Sequence, residues 1–312
     1  MSRFALFAIA FSATIFAPSL TLAQPAPGSR DAVQNFVDSF ATPTRMTGKV
    51  ARWEDGICPR MVGQRPALAN IVTQRVRDLA AFVGAPVNGS PSCTANIEIV
   101  FTSAPQDLLK NVRAHDAVFL GFTESSAERD RVATVTRPIQ AWCTTQTRDL
   151  RGLNRIDSAM RPGEGVAMPC FTCNGGRGPV GPTEYLPGAT YANVTGNRVS
   201  DGVRSAFYHI LIVADPSKLQ DYGIGPLADY IALLALTQIN SLDSCQPLPS
   251  IENMLAAGCG TKTRMLTIND AAYLRGLYKT SPGMNLRAQE DQVAYQMEQS
   301  LTAKQGSSPD KK

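Results

Sequence analysis

The sequence predicts an α+β fold with a mixed sheet of about four or five strands, a helix packed on the sheet, a buried central helix and a helical C-terminal subdomain. Three observations support this class. Apolar residues recur at helical spacing from Pro66 to Val83, and Gly84 follows as an exit signal. Segment 205–214 is apolar on both faces, which is typical of a central strand. Segment 225–239 is apolar nearly all round, which indicates a helix buried inside the fold.

The other expected elements are shorter and follow from local patterns. They are strands at 50–62, 96–102 and 141–147, and helices at 31–40, 104–115, 269–278 and 286–301. Asn269 is expected to cap the helix that follows it. Segment 161–197 is rich in Gly and Pro and predicts a long loop. Loops of that length in compact domains are usually functional or disordered.

The start of the chain has the pattern of a signal peptide. Arg3 precedes an apolar run, and small residues before Ala23 are typical of a cleavage site. Cleavage predicts a periplasmic or secreted protein that is not membrane-spanning, whereas an uncleaved anchor is the alternative. The predicted organisation is a signal peptide at 1–23, a leader with a short helix at 24–46, a single α+β domain at 47–303 and a disordered tail at 304–312.

Charge restricts the partners only in one respect. The formal net charge is +4, and the Lys and Arg residues are scattered along the chain. Binding to nucleic acid requires a clustered basic face that can follow the phosphates. The sequence therefore argues against a nucleic-acid partner.

Seven cysteines follow the predicted signal peptide, which in an oxidising compartment predicts three disulfides and one free thiol. Spacing does not determine connectivity by itself, but close pairs bracket short segments. The expected pairs are Cys58 with Cys93, Cys245 with Cys259, and Cys143 with either Cys170 or Cys173.

Cys170 and Cys173 form the one compact reactive motif of the sequence. A dithiol at this spacing undergoes thiol-disulfide exchange when one thiolate has a lowered pKa. In redox folds the motif opens a helix, whereas here the Gly-rich segment 174–179 follows it. A structural disulfide is the favoured interpretation, and redox exchange or metal binding together with Cys143 are the alternatives.

The order of elements resembles that of small zincin-type metalloproteases. Short phrases also resemble a group of uncharacterised alphaproteobacterial secreted proteins related to them. The segments that carry the resemblance are 51–53, 95–101, 225–236, 267–270 and 274–278, within a stretch from about 47 to 300.

Zincins place His-Glu-x-x-His on the buried helix, so that two imidazoles one turn apart reach one zinc ion. The matching stretch here has Ala228 and Ala232 at the ligand positions and Asp229 at the position of the general base. The whole chain contains only His115 and His209, so a three-histidine site is excluded. The resemblance therefore implies a pseudoenzyme without metal, cofactor or catalytic residues.

Three residues remain as candidate binding residues: Asp229, Tyr230 and His209. A carboxylate on a buried helix needs a partner or has a raised pKa. Asp229 is thus either hydrogen-bonded by a Tyr, an Arg or the backbone, or part of a remnant pocket. His209 lies in an apolar strand, where a neutral, hydrogen-bonded core histidine is commoner than a functional one.

These observations favour a non-catalytic exported protein that binds a peptide or a cell-envelope component beside the sheet edge. The alternative is an enzyme, either a thiol-disulfide exchanger that uses Cys170 and Cys173 or a hydrolase with an unrecognised site. A purely structural role in the envelope is a third hypothesis.

Overall fold

The computed structural model of the 312-residue chain describes residues 29–149, 154–157, 166–169, 183–186, 202–239, 242, 244–260 and 262–305. The predicted signal peptide, most of the predicted loop, Cys170, Cys173 and most of the predicted tail lie outside the described residues.

The described residues form an α+β fold, as the sequence predicts. The helices are α1 (Arg30–Phe40), α2 (Pro66–Val83), α3 (Pro105–His115), α4 (Ser126–Val132), α5 (Ile224–Leu234), α6 (Ile268–Lys279) and α7 (Leu286–Gln305). The strands are β1 (Pro59–Val62), β2 (Ile97–Phe101), β3 (Ile139–Asp149), β4 (Asn154–Ile156), β5 (Val166–Pro169), β6 (Thr183–Leu186) and β7 (Val203–Ala214).

The main sheet is mixed, with five strands in the order β1-β2-β7-β3-β4. β1, β2 and β7 are parallel, and β3 runs antiparallel to β7 and β4. The predicted central strand is confirmed, because β7 lies in the middle. The register shifts between Thr144 and Thr145, where Tyr208 is an extra residue of β7 and forms a bulge.

The sheet separates two hydrophobic cores, and β7 contributes to both. Ile210 and Ile212 point into the main core, together with apolar residues of α2 and α5. Leu211 and Val213 point to the other face, into a smaller core under α3. Both faces of β7 are therefore covered, which explains why its sequence shows no alternation of apolar and polar residues.

The main core also includes α1. The sequence predicts that this helix belongs to a leader ahead of the domain, but Phe36 and Phe40 are fully buried. Phe40 lies edge-on to Tyr273 of α6, with ring centroids 4.6 Å apart. Helix α1 thus packs with the C-terminal helices as part of the same core.

Several element ends differ from the predicted ones, each for a local reason. Helix α5 ends at Leu234, and the indole N–H of Trp53 donates to the carbonyl of Ala235 just beyond it at 2.7 Å. Thr267, not Asn269, caps α6, because its hydroxyl accepts from the N–H of Asp270. The amide of Asn269 instead donates to a loop carbonyl.

The predicted loop at 161–197 contains regular structure that composition does not reveal. β5 and β6 lie inside it and pair with each other as an antiparallel ladder. The sequence patterns also do not predict helix α4.

None of the helices that the structure describes is both long enough and apolar enough to cross a lipid bilayer.

Candidate functional site

Asp229 lies on the face of α5 that contacts α2, and both of its carboxylate oxygens are engaged. Oδ1 forms an ion pair with Nε of Arg75 from α2. Oδ2 accepts a hydrogen bond of 2.8 Å from the backbone N–H of Leu266. A mostly buried carboxylate is stable when a cation and an N–H satisfy it in this way. Asp229 therefore links α5 to α2 through the ion pair and to the segment before α6 through the hydrogen bond.

A groove of about 650 Å³ runs beside this ion pair, between α2, the start of α5 and Met265. Its volume lies within the range of about 300–1,000 Å³ that is usual for ligand sites. Ile71 and Met265 line it and are 46% and 68% exposed, which leaves apolar surface at the groove. The charges of Arg75 and Asp229 compensate each other there.

The neighbours of Asp229 on α5 are core residues. Tyr230, Ala228 and Ala232 are buried in the main core. The two alanines stand where the zincin resemblance would require histidines. Among the described residues no group of three or more His, Cys, Asp or Glu side chains is arranged to hold a metal ion.

His209 lies on the other face of the sheet from α5. It shares a face of β7 with Leu211 and Val213, and its ring lies tilted against the ring of Phe119 with centroids 4.3 Å apart. Nε2 is 3.9 Å from Oε2 of Glu98, which is too long for a hydrogen bond. Nδ1 is buried and has no hydrogen-bond partner among the described residues. His209 is thus a core histidine, but not the hydrogen-bonded one that the sequence suggests.

Replacing His209 by Phe is expected to remove part of the acid sensitivity of the fold. Burial lowers the pKa of His209 from 6.5 to about 4. Between these two pH values the unfolded chain binds a proton that the folded chain does not, so the free energy of unfolding falls as the pH falls. From the size of the pKa shift, the free energy of unfolding should fall by about 2–3 kcal/mol. The nearby carboxylate of Glu98 reduces this fall because it stabilises the protonated imidazole. Urea denaturation at about pH 7.5, 5.5 and 4 measures it.

The matched control for this prediction is His115→Asn. His115 is exposed at the end of α3, so its substitution should leave the pH dependence of stability unchanged. Carboxylates also titrate in this range, so the informative quantity is the difference between the wild type and each variant. Identical pH dependence in the wild type and His209→Phe would contradict the prediction.

Two of the three expected disulfides are present. Cys58 bonds to Cys93 and Cys245 bonds to Cys259, with Cα atoms 6.1 and 5.4 Å apart. Both bridges close short segments of chain, as the spacing predicts. Disulfides are typical of proteins that fold in an oxidising compartment.

The prediction that Cys143 bonds to Cys170 or Cys173 is wrong, because Cys143 is a free thiol. Its side chain points from β3 toward the main core and packs against it. Burial of the thiol raises its pKa to about 12. Cys143 is therefore neither a bridge partner nor a ready nucleophile. Cys170 and Cys173 lie outside the described residues.

The outer edge of β3 is paired with β4 only from Gln146 to Arg148. The carbonyl of Thr145 accepts from the N–H of Asp157, and Thr147 faces Arg155, so odd-numbered residues direct their main-chain groups away from β7. By the same alternation Ala141 and Cys143 direct their N–H and C=O groups to this edge. Among the described residues no strand and no backbone hydrogen bond pairs with Ala141 at this edge. The carbonyl of Cys143 is instead covered by Gly121, since a Cβ at residue 121 would lie 2.6 Å from that oxygen.

Sequence reasoning missed a cluster of charged residues around Glu54. Its carboxylate accepts from Nε of Arg204 at 2.9 Å and from Nη1 of Arg148 at 3.3 Å. The signal in the sequence is faint: charged residues stand near the ends of two apolar strands, and Arg52 and Glu54 flank Trp53. The partners of Glu54 are 94 and 150 residues away, so the tertiary fold alone brings them together.

The three candidate binding residues do not form one site. Asp229 borders the groove between α2 and α5, Tyr230 is buried in the main core, and His209 lies on the opposite face of the sheet. Comparisons with protein-family models, with curated proteins and with solved structures give no match to this chain.

Proposed function

We propose that this chain is an exported, non-catalytic binding protein that captures an extended peptide segment at the open edge of β3. The observation that carries the proposal is that the main-chain N–H and C=O groups of Ala141 have no backbone partner among the described residues. An added strand ends before the carbonyl of Cys143, which Gly121 covers. An extended peptide adds to such an edge as a new strand, and the main-chain hydrogen bonds supply affinity.

The side chains at this edge indicate what the peptide should carry. Ala141 and Cys143 are half-buried and pack against the main core. A peptide residue opposite Ala141 would lie on the same face of the sheet, because cross-strand neighbours share a face. The small side chain of Ala141 leaves space beside the core, so an apolar peptide residue is favoured at that position.

The surroundings of Asp229 and Cys143 support a protein without catalytic activity. Asp229 is held by Arg75 and by the N–H of Leu266, and Cys143 has a raised pKa. The proposed kinship with zincins is supported by the order of a strand, a helix, a strand, an insertion, a central strand and a buried helix. Kinship of that kind, with alanine at both ligand positions, fits a pseudoenzyme.

Export to the periplasm or secretion is proposed on two grounds. The first residues have the pattern of a cleavable signal, and two disulfides are formed. A peptide of another exported protein or of a cell-envelope component would meet this edge in such a compartment.

The substitution Ala141→Pro tests the proposed edge directly. Proline removes the outward N–H of residue 141 while leaving the hydrogen bonds between β3 and β7, and edge strands tolerate proline in this position. Peptides selected on the wild-type protein from a random phage-displayed library should bind the variant at least about tenfold more weakly. On binding to the wild type, hydrogen exchange should slow at the amide of Ala141.

Ala141→Val is the matched control, because it changes the side chain but retains the N–H. It should bind the selected peptides within about threefold of the wild type. Circular dichroism establishes that both variants are folded. The proposal fails if the library yields no binder, or if Ala141→Pro binds the selected peptides as tightly as Ala141→Val does.

A further inference from the structure

A second cavity, of about 440 Å³, lies between segment 52–54, the end of α2 and the end of α6. The segment is held in place by β7. Arg52 forms a parallel bridge with Ala206, and its carbonyl accepts from the N–H of Phe207 at 3.0 Å. Because of the strand-like alternation, Arg52 and Glu54 share a side of this segment. Both side chains line the cavity together with Arg204.

Arg52 presents a fixed positive charge to this cavity. Its Nη1 donates to the carbonyls of Leu277, Tyr278 and Thr280 at the end of α6. Cations are favoured at a helix C-terminus, where the backbone carbonyls lack helical partners. These bonds use one of the three guanidinium nitrogens, and no carboxylate of the described residues forms an ion pair with Arg52. Burial lowers the pKa of Arg52. Glu54 and Tyr278 partly offset this effect, and Arg204 lowers the pKa further.

Glu54 is the one carboxylate among the residues that line the cavity, and two arginines share it. Arg204 donates through Nε and Arg148 through Nη1, while Arg148 also pairs with the exposed Asp55. Among the described residues, the terminal nitrogens of Arg204 have no acceptor, and its side chain is 30% exposed. The three arginines and two acids at this place leave one positive charge in excess.

The rest of the cavity wall is apolar and rigid. Pro86, Pro282, Trp53 and Tyr278 line it. The hydroxyl of Tyr278 donates to the carbonyl of Leu236 at 2.9 Å, so this ring is fixed. A cavity of this volume, mostly apolar with a few converging polar groups, has the anatomy of a small-molecule site.

We propose that this cavity binds a small organic anion, with a carboxylate on Arg204 and Arg52 and a compact apolar body against the two prolines. Arginine is suited to this because its planar guanidinium donates two parallel hydrogen bonds to a carboxylate. Glu54 accepts a hydrogen bond from one nitrogen of Arg204. Its carboxylate therefore competes with the carboxylate of the ligand for interaction with this arginine. This site is separate from the peptide edge of β3.

The test is calorimetric titration of the full-length mature protein with benzoate at constant ionic strength. Benzoate should bind at one site, whereas neutral benzamide and inorganic phosphate should bind at least about tenfold more weakly, since each lacks one half of the recognised chemistry. Arg204→Gln should weaken benzoate binding about tenfold or more. Glu54→Gln should strengthen it, because the internal competitor is removed.

Two controls separate this site from general effects of charge and from the peptide edge. Arg60→Gln removes an exposed arginine of β1 and should leave benzoate binding unchanged, as should Ala141→Pro. The proposal is overturned if wild-type protein does not bind benzoate. It is also overturned if benzamide or phosphate binds equally well, or if folded Arg204→Gln binds benzoate like the wild type.

Discussion

Trp53→Ala is expected to lower the free energy of unfolding by about 4 kcal/mol. Trp53 is 1% exposed and packs on Phe207 with ring centroids 5.5 Å apart. Its indole N–H also donates to the carbonyl of Ala235 at the end of α5. The variant therefore creates a cavity and leaves a buried carbonyl without a donor.

Urea denaturation followed by circular dichroism measures this loss. Trp53→Phe keeps a ring in the core and removes the N–H, so it should lose only about 1–2 kcal/mol. Tyr295→Ala is the matched control, because Tyr295 is an exposed aromatic residue of α7 and should change stability by less than about 0.5 kcal/mol. Equal stability of Trp53→Ala and the Tyr295 variant would contradict the described packing.

Asp270→Ala is expected to lower the free energy of unfolding by about 3–5 kcal/mol. The carboxylate of Asp270 is fully buried and accepts from the hydroxyl of Ser250 and the N–H groups of Ile251 and Thr267. Alanine leaves these donors unsatisfied and removes half of the capping box, while the bond from the N–H of residue 270 to Thr267 remains.

Thermal and urea denaturation at about pH 7 test this prediction, with Asp31→Ala as the control. Asp31 is also an aspartate in the first turn of a helix, but it is exposed on α1. Its removal should therefore cost less than about 1 kcal/mol, from the helix dipole alone. A loss of similar size in both variants would show that the buried hydrogen bonds of Asp270 contribute little.

Elements with strong local patterns were predictable from the sequence. Helix α2 begins at Pro66 and ends before Gly84, whose positive φ of 86° favours glycine, so both ends are encoded in single residues. The two confirmed disulfides join cysteines only 35 and 14 residues apart, where the intervening chain leaves few alternative partners. In each case the information lies within a short stretch of sequence.

Features that depend on contacts between distant residues were not predictable. The free state of Cys143 depends on which face of β3 meets the main core, and the cavity beside Trp53 depends on Arg204 reaching Glu54. The open edge of β3 depends on how far β4 extends along it. The sequence of β3 alone does not show how long its neighbour β4 is. The sequence around Trp53 likewise does not show that the end of α6 lies nearby.

The sequence by itself determined the α+β class, the central position of β7 and the burial of α5, because hydrophobic periodicity reports which faces are covered. Only the tertiary structure decided the use of the polar residues. Asp229 forms an ion pair because α2 places Arg75 beside it. His209 contacts Phe119 on the other face of the sheet and does not meet α5. The interaction of a charge depends on its neighbours in space, and those neighbours come from remote parts of the chain.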